Sequence, residues 1–369
     1  MPSLLKPSNI VRQLNEHVIG QEAAKRTLAV AIYSHYRKMA TVARIEATAG
    51  QRADAVEVTK SNVLLIGPTG TGKTLLCETL ARILDVPFVT ADATSLAQTQ
   101  FVSEEIEAIL HRLVDRANGD LAVAQRGIVF VDEVDKLKAI GGEARTTSGE
   151  SVQHALLKIM EGAPVRLNDG RHIDTTHILF ICGGAFVGLD KILTKTHTFG
   201  FISTSGGDDQ KILERLNARV KPTDLLEFGL IPEFAGRLPI ITQLNDLSQE
   251  MLIRIMTEPR NAIYKQFASM LRADDVVLQI EPGVFRQIAE LAIEYKAGAR
   301  SLRGIFEEMM TDVLYVIPDM PSIRRVIIRS LFEPAELADA LGNAVNIKSV
   351  ETTSGSENTE TRSSRTVNP

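Results

Sequence analysis

Gly67-Pro68-Thr69-Gly70-Thr71-Gly72-Lys73-Thr74 decides the fold of this 369-residue chain. The apolar run Val63–Ile66 comes directly before this stretch, and a helical pattern begins at Lys73. The stretch fits the pattern GxxxxGK[ST] in the strand-then-helix setting that this pattern needs. Glycines let the backbone curl so that its N–H groups point at phosphate oxygens, and the N-terminus of the following helix adds a positive dipole end. The sequence therefore predicts a phosphate-binding loop, with a chance glycine-rich turn as the alternative.

Two residues at the end of this loop carry the side-chain chemistry. The Lys73 ammonium is placed to bind β- and γ-phosphates, and the Thr74 hydroxyl is a suitable ligand for Mg²⁺. ATP and Mg²⁺ are therefore the predicted cofactors. The expected nucleotide-binding residues of the loop are Gly67, Pro68, Thr69, Gly70, Thr71, Gly72, Lys73 and Thr74.

A second apolar run, Ile128–Val131, ends in the two carboxylates of Asp132 and Glu133. A strand with this ending places both carboxylates at the edge of the sheet that also carries the phosphate loop. Asp132 is expected to hold Mg²⁺, and Glu133 to orient and deprotonate the attacking water. The alternative is an acidic strand end that starts a solvated helix. After a phosphate loop, the pair instead predicts hydrolysis of the bound nucleotide.

Apolar runs alternate with helical patterns from Asn62 onward, which predicts an α/β domain with a parallel sheet and helices on both faces. The runs are nearly continuous in apolar residues, as strands covered on both sides must be. The predicted elements are strands at 63–66, 88–91, 128–131 and 178–182 and helices starting near Lys73, Glu104 and Ser151.

The alternation stops after Leu244, which predicts a large domain over residues 1–244 and a smaller, mostly helical domain over 245–346. In the second domain, Ser248 is expected to cap one helix and Pro259 to open the next. Residues 347–369 contain almost no apolar side chains and are expected to be disordered. The polar stretch 41–60 is expected to form a loop.

Composition narrows the class of protein. Apolar residues make up 44% and charged residues 24% of the chain, no run is long enough to span a bilayer, and no signal pattern precedes Ile10. The expected location is the cytoplasm. A net charge of −5 makes a dedicated nucleic-acid binder unlikely. The two cysteines, Cys77 and Cys182, lie in apolar stretches and are expected to be buried free thiols.

Several motifs, in one order, resemble the ClpX family of AAA+ unfoldases, and the resemblance covers residues 9–328. The fold it implies is an AAA+ ATPase domain followed by a small AAA+ domain. The motifs that carry the resemblance are Val18-Ile19-Gly20-Gln21, Ala91-Asp92-Ala93-Thr94, Gln125-Arg126-Gly127, Ile181-Cys182-Gly183-Gly184-Ala185-Phe186, Phe228-Gly229-Leu230-Ile231-Pro232-Glu233-Phe234 and Gly236-Arg237-Leu238-Pro239.

The resemblance implies roles for three residues outside the phosphate loop. Ile19 packs on the adenine base. Arg237 is the arginine finger, which stabilises charge on the ATP of a neighbouring subunit. A finger supplied by another subunit requires an oligomer, and the resemblance implies a homo-hexameric ring. Arg300, in Gly298-Ala299-Arg300, is the second sensor, which touches the nucleotide of its own subunit from the small domain. The alternative for Arg237 is a surface or ion-paired arginine, and the alternative for Arg300 is an arginine at a helix N-terminus that faces solvent. No polar first-sensor residue can be placed on the 178–182 strand.

The loops that handle protein substrates depart from the family pattern. Gly-Tyr-Val-Gly of the family's pore loop is replaced by Gln100-Phe101-Val102-Ser103. Phe101 and Val102 can still grip an extended chain through apolar contact, with a core phenylalanine as the alternative. Arg145 lies where a second pore loop is expected. The basic Arg-Lys-His loop is shortened, with only Arg171-His172 remaining.

The segment that docks on the protease is also shortened. The family's Ile-Gly-Phe corresponds here to Phe199-Gly200-Phe201, whose alternative role is an ordinary apolar anchor. The family's amino-terminal zinc-binding domain does not occur in this sequence, and no CxxC pair is present.

Together these observations predict an ATP-dependent unfoldase that draws protein substrates through a hexameric ring, for a ClpP-type protease. The alternatives are a stand-alone remodelling ATPase and, less favoured, a nucleic-acid motor.

Overall fold

The computed structural model describes residues 5–47, 60–99, 101–138, 146–198 and 219–345. The predicted second pore residue Arg145, the predicted docking segment 199–201 and the predicted disordered tail 347–369 lie outside these ranges. The chain divides into two compact units, Met1–Leu247 and Ser248–Pro369.

The first unit alternates strands with helices. Its helices are α1 Pro7–Asn15, α2 Glu22–Ala47, α3 Lys73–Leu84, α4 Ala93–Gln98, α5 Val102–Arg116, α6 Leu121–Ala124, α7 Thr146–Glu161, α8 Leu189–Thr198, α9 Pro222–Phe228 and α10 Pro232–Gly236. Its strands are β1 Val63–Ile66, β2 Phe88–Asp92, β3 Ile128–Asp132, β4 Pro164–Arg166, β5 His172–Asp174, β6 Leu179–Gly184 and β7 Ile240–Gln243.

Five of these strands form a parallel sheet in the order β2-β3-β6-β1-β7. Side chains alternate between its faces. Leu64, Val129 and Phe180 pack into the core that α5 and α7 cover, while Leu65 and Phe130 pack into the core that α1, α2 and α3 cover. Burial on both faces explains the continuous apolar runs. The predicted α/β class with a doubly covered parallel sheet is confirmed.

The structure corrects several element boundaries. Helix α2 continues through residue 47, where a loop was predicted from residue 41, because no glycine or proline interrupts this stretch. Helices α5 and α7 begin at Val102 and Thr146, earlier than predicted. The short edge strand β7 and the antiparallel hairpin β4–β5 were not predicted.

The second unit is smaller and contains both helices and a sheet. Its elements are α11 Gln249–Thr257, α12 Ile263–Ala273, β8 Val277–Ile280, α13 Pro282–Glu294, α14 Arg300–Val316, β9 Ile323–Ile328, β10 Glu336–Asp339 and β11 Ala344–Val345. Ser248 caps α11 as predicted, with its hydroxyl accepting from the N–H of Met251. Pro259 does not open α12, which begins four residues later, so that prediction was wrong. The sheet order is β11-β10-β9-β8.

Within the described ranges, no helix combines the length and the apolar character that crossing a bilayer requires.

Candidate active site

The phosphate loop joins β1 to α3 and holds its shape through glycines. Gly70 and Gly72 have φ angles of 84° and 93°, a left-handed backbone that side chains disfavour. Gly67 is required for space, because a Cβ on it would lie 2.9 Å from the Cβ of Leu244. The Thr71 hydroxyl closes the turn by donating to the carbonyl of Pro68 at 2.8 Å.

The first residues of α3 carry the predicted phosphate-binding and Mg²⁺-binding side chains. The Lys73 ammonium is buried and donates to the carbonyls of Gly67 and Pro68 at 2.6 and 3.1 Å. The Thr74 hydroxyl lies 3.4 Å from Oδ2 of Asp132 at the end of β3. A hydroxyl and a carboxylate that converge beside a phosphate loop form an oxygen-donor pair of the kind that Mg²⁺ prefers.

Glu133 follows β3 with a φ of 59°, an uncommon left-handed conformation for a residue with a side chain. Its N–H donates to Oδ1 of Asp132 at 2.9 Å. Strained backbone of this kind clusters at functional sites because the surrounding structure must hold it in place.

The neighbouring strand β6 contributes backbone and not polar side chains at this edge. A Cβ on Gly183 would lie 2.7 Å from Cζ of Phe130 and 3.2 Å from Oδ1 of Asp132. The carbonyl of Gly184 accepts from the N–H of Gly67 at 3.0 Å. The sequence could not place a first-sensor residue, and the structure has glycines where that strand reaches the site.

A buried thiol lies close to this cluster. Cys77 on α3 is fully buried, and burial, with the nearby charge of Asp132, raises the pKa of its thiol well above the ordinary range. Burial likewise raises the pKa of Cys182 to about 12. Both thiols are free and protonated, so they are unsuited to nucleophilic chemistry.

The segment Val18–Gln21 joins α1 to α2, and Val18 and Ile19 within it are buried. The Gln21 amide pairs with the main chain of Asn245, just beyond β7, through two hydrogen bonds of 2.8 Å. The sequence did not single out Gln21 or Asn245 as a pair, because residues 224 positions apart share no local pattern.

Arg237 lies on the turn between α10 and β7, at the opposite end of the sheet from the phosphate loop. Its side chain is 45% exposed, and its guanidinium pairs with the Glu161 carboxylate at 2.6 Å. Its carbonyl accepts from the amide of Asn62, a buried residue that also donates to Met160 and accepts from the N–H of Phe180. Sequence reasoning missed Glu161 and Asn62, for which there is no local signal.

The first predicted pore residues lie on the α4–α5 connection. Phe101 is 62% exposed and occupies the N-cap position of α5, whereas Val102 is half-buried against the core. The alternative of a core phenylalanine therefore does not hold for Phe101. Arg300 is exposed at the first position of α14, in the second unit.

Residues 58–241 match the AAA domain (Cdc48 subfamily), and residues 247–318 match the C-terminal, D2-small domain of ClpB protein. The ATP-dependent Clp protease ATP-binding subunit ClpX of Treponema denticola is 45% identical over 338 residues, which cover 87% of this chain and 80% of the relative. The subunit of the same name from Azotobacter vinelandii is 46% identical over 340 residues, or 88% of this chain and 77% of the relative.

These matches span both units and include the phosphate loop and the acidic strand end. The first unit is an AAA ATPase domain, and the second is the smaller domain that accompanies it. The chain therefore belongs to the ClpX family of ATP-dependent Clp unfoldases.

Proposed function

We propose that six copies of this chain form a ring that hydrolyses ATP to unfold proteins and draw them through its centre, for a ClpP-type protease. The observation that carries the proposal is the convergence of Thr74, Asp132 and Glu133 beside the phosphate loop, with Arg237 exposed at the far end of the same sheet. The cytoplasmic location expected from the sequence is part of this proposal.

In the proposed reaction, the inward N–H groups of the loop and the Lys73 ammonium bind the β- and γ-phosphates of ATP. Glu133 orients the attacking water and accepts its proton, which makes the oxygen nucleophilic. The left-handed backbone at Glu133 supports this role, since backbone strain of this kind clusters at functional sites.

Thr74 and Asp132 are the residues that would hold Mg²⁺, because their oxygens lie 3.4 Å apart at the mouth of the loop. When bound there, Mg²⁺ would neutralise negative charge on the phosphates. Asp132 also accepts the N–H of Glu133, so one carboxylate supports both the cation site and the catalytic base.

Arg237 is proposed to act on the ATP of a neighbouring copy. Strands β1 and β7 run parallel, and the loop follows β1 whereas Arg237 precedes β7. At 3.3 Å per residue, the strand separates the backbone of Arg237 from that of the phosphate loop by about 13 Å. This distance favours an action of Arg237 on the nucleotide of another copy over that of its own copy. The exposed ion pair with Glu161 is weak enough to be displaced by a phosphate.

The remaining roles rest on the resemblance alone. Ile19 is proposed to contact the adenine base, and Arg300 to sense the nucleotide of its own subunit. Phe101 and Val102 are proposed to grip the substrate, as is Arg145. Residues 199–201 are proposed to dock on the protease.

The proposal is tested by measuring ATP hydrolysis and the unfolding of a tagged folded protein, with and without an unstructured polypeptide. We expect the polypeptide to stimulate hydrolysis and compete with unfolding. Unchanged hydrolysis together with no unfolding would contradict the proposal, and stimulation by DNA in its place would favour the nucleic-acid motor. Unfolding without delivery to a ClpP-type protease would favour the stand-alone remodelling ATPase.

The same assay tests the proposed pore residue. Phe101→Ala should leave ATP hydrolysis within about twofold, because an exposed side chain supports little of the fold, and should abolish most unfolding. Phe332→Ala is the matched control, since Phe332 is 79% exposed in the second unit. Unfolding at the parental rate by Phe101→Ala would exclude Phe101 as a gripping residue.

A further inference from the structure

The segment Val18–Gln21 is held at both ends by buried side chains. At its start, the ammonium of Lys25 donates to the carbonyl of Val18 and to the side chain of Asn15, both at 2.7 Å. At its end, the amide of Gln21 donates to the carbonyl of Asn245 and accepts its N–H, both at 2.8 Å. Lys25 and Gln21 are 1% and 5% exposed.

The backbone of the segment is unfavourable without such support. Gly20 and Gln21 have φ angles of 67° and 60°, so two successive residues are left-handed. Glycine tolerates this conformation, but glutamine does not prefer it. A residue keeps a strained backbone conformation where the surrounding structure holds it there. At Gln21, the side chain of the strained residue itself forms the two hydrogen bonds that hold it.

The partner of Gln21 connects directly to the phosphate loop. Leu244, next to Asn245, donates its N–H to the carbonyl of Ile66 at 2.7 Å and packs against Gly67. Gln21 therefore fixes the Val18–Gln21 segment beside the phosphate loop. At this edge of the sheet, the ribose and base of a nucleotide bound by the loop would lie.

We propose that Gln21 is a positioning residue for the base of the nucleotide: its amide holds the Val18–Gln21 segment, with Ile19, against which the base packs. This inference rests on the proposed function. The oxygen and the nitrogen of the buried Gln21 amide both bond to the main chain of Asn245, so Gln21 acts on the base through the segment.

The phosphates depend on other contacts. The loop is closed by hydrogen bonds within residues 67–76, from Thr71 and Lys73 and from the N–H of Leu76. Loss of Gln21 should therefore weaken ligands that carry a base and leave a bare polyphosphate almost unaffected. This difference separates positioning of the base from general support of the fold.

The test compares ATP with inorganic tripolyphosphate by calorimetry in the presence of Mg²⁺. The full chain carries Glu133→Gln throughout, so that ATP is not hydrolysed. Adding Gln21→Ala should weaken ATP by about tenfold or more and tripolyphosphate by less than about twofold. Gln21→Met keeps the side-chain volume without the two hydrogen bonds and should give the same pattern if Gln21→Ala does not fold.

Gln153→Ala is the matched control. Gln153 is fully buried in the same unit and its amide likewise makes two main-chain bonds, to Leu137 at 2.8 Å and from Ile231 at 2.9 Å. This variant should leave the ratio of the two affinities unchanged. Equal weakening of both ligands by the Gln21 variants, or weakening of neither, would overturn the inference. A parent protein that binds neither ligand would overturn the proposed function itself and this inference with it.

Discussion

The two ends of the parallel sheet in the first unit differ in how their functional residues are held. At the end where the strands finish, Thr74, Asp132 and Glu133 are fixed by a short loop, a helix start and a strained strand end that adjoin one another. At the end where the strands begin, Arg237 is exposed and held by an ion pair with a residue 76 positions away. The first end holds the proposed Mg²⁺ ligands in place beside the phosphate loop, and the second end carries an exposed arginine.

Under the proposed function, this contrast would leave the catalytic site of a single chain incomplete. The phosphate loop and the proposed finger cannot meet within one copy while they occupy opposite ends of one sheet. A ring that places the strand-start end of each copy against the loop of the next would complete every site, and hydrolysis would then depend on assembly.

The largest expected effect is on ATP hydrolysis, from a substitution at the end where the strands begin. Arg237→Ala should lower the rate of ATP hydrolysis by about 10³-fold, because an arginine finger stabilises charge on the transferred phosphoryl group. ATP binding should change little, since Arg237 does not contribute to the phosphate loop of its own copy. Steady-state hydrolysis and nucleotide binding are the measurements. Arg254→Ala is the control, because Arg254 forms an exposed ion pair of similar geometry in the second unit. A loss of ATP binding as large as the loss of hydrolysis would contradict the prediction that Arg237 acts apart from the ATP site of its own copy.

A smaller effect on ATP hydrolysis is expected from a substitution at the end where the strands finish. Glu133→Gln should lower hydrolysis by about 10²-fold or more, because an amide cannot accept the proton of the attacking water. ATP should still bind, and the variant should retain protein substrates that co-purify from extract. Hydrolysis and the captured proteins are measured together. Weak ATP binding by this variant would mean that Glu133 supports the loop and is not the base.

The smallest effect concerns stability at the strand-start end. His35 on α2 is buried, and its Nε2 lies 3.0 Å from the carbonyl of His177, just before β6. Burial lowers the pKa of His35 from 6.5 to about 4, although the bond to His177 opposes this shift. The unfolded chain therefore binds the proton more readily, and the stability present above pH 6.5 is lost as pH falls toward 4.

The free energy of unfolding should drop by about 2 kcal/mol between about pH 7 and about pH 5. His35→Gln should remove most of that fall, because glutamine can donate to His177 and does not titrate. Chemical denaturation at both pH values is the measurement, and His111→Gln, at an exposed histidine on α5, is the control. Equal pH dependence in His35→Gln and the parent would contradict the prediction.

The two ends also differ in how far the sequence predicts them. The phosphate loop and Asp132-Glu133 were predicted because each is a local pattern of a few residues beside an apolar strand. The resemblance supplied Arg237, but the sequence offered no sign of Glu161 or Asn62, which meet it only through the fold. The pairing of Gln21 with Asn245 was missed for the same reason.

Short or weakly apolar elements were the other source of error. Strand β7 has four residues at the edge of the sheet and only its first two are apolar, so its apolar signal in the sequence is weak. The last turns of α2 contain small and polar residues that resemble a loop in composition, yet nothing in them ends a helix.

The most direct test of the account mixes two inactive variants. Lys73→Ala removes ATP binding and leaves Arg237 intact, whereas Arg237→Ala keeps its own ATP site and lacks the finger. If Arg237 acts on the neighbouring copy, mixed rings should regain ATP hydrolysis, because an intact site then adjoins an intact finger. Hydrolysis that stays at the level of the separate variants, in mixtures proven to contain both copies in one ring, would contradict the account.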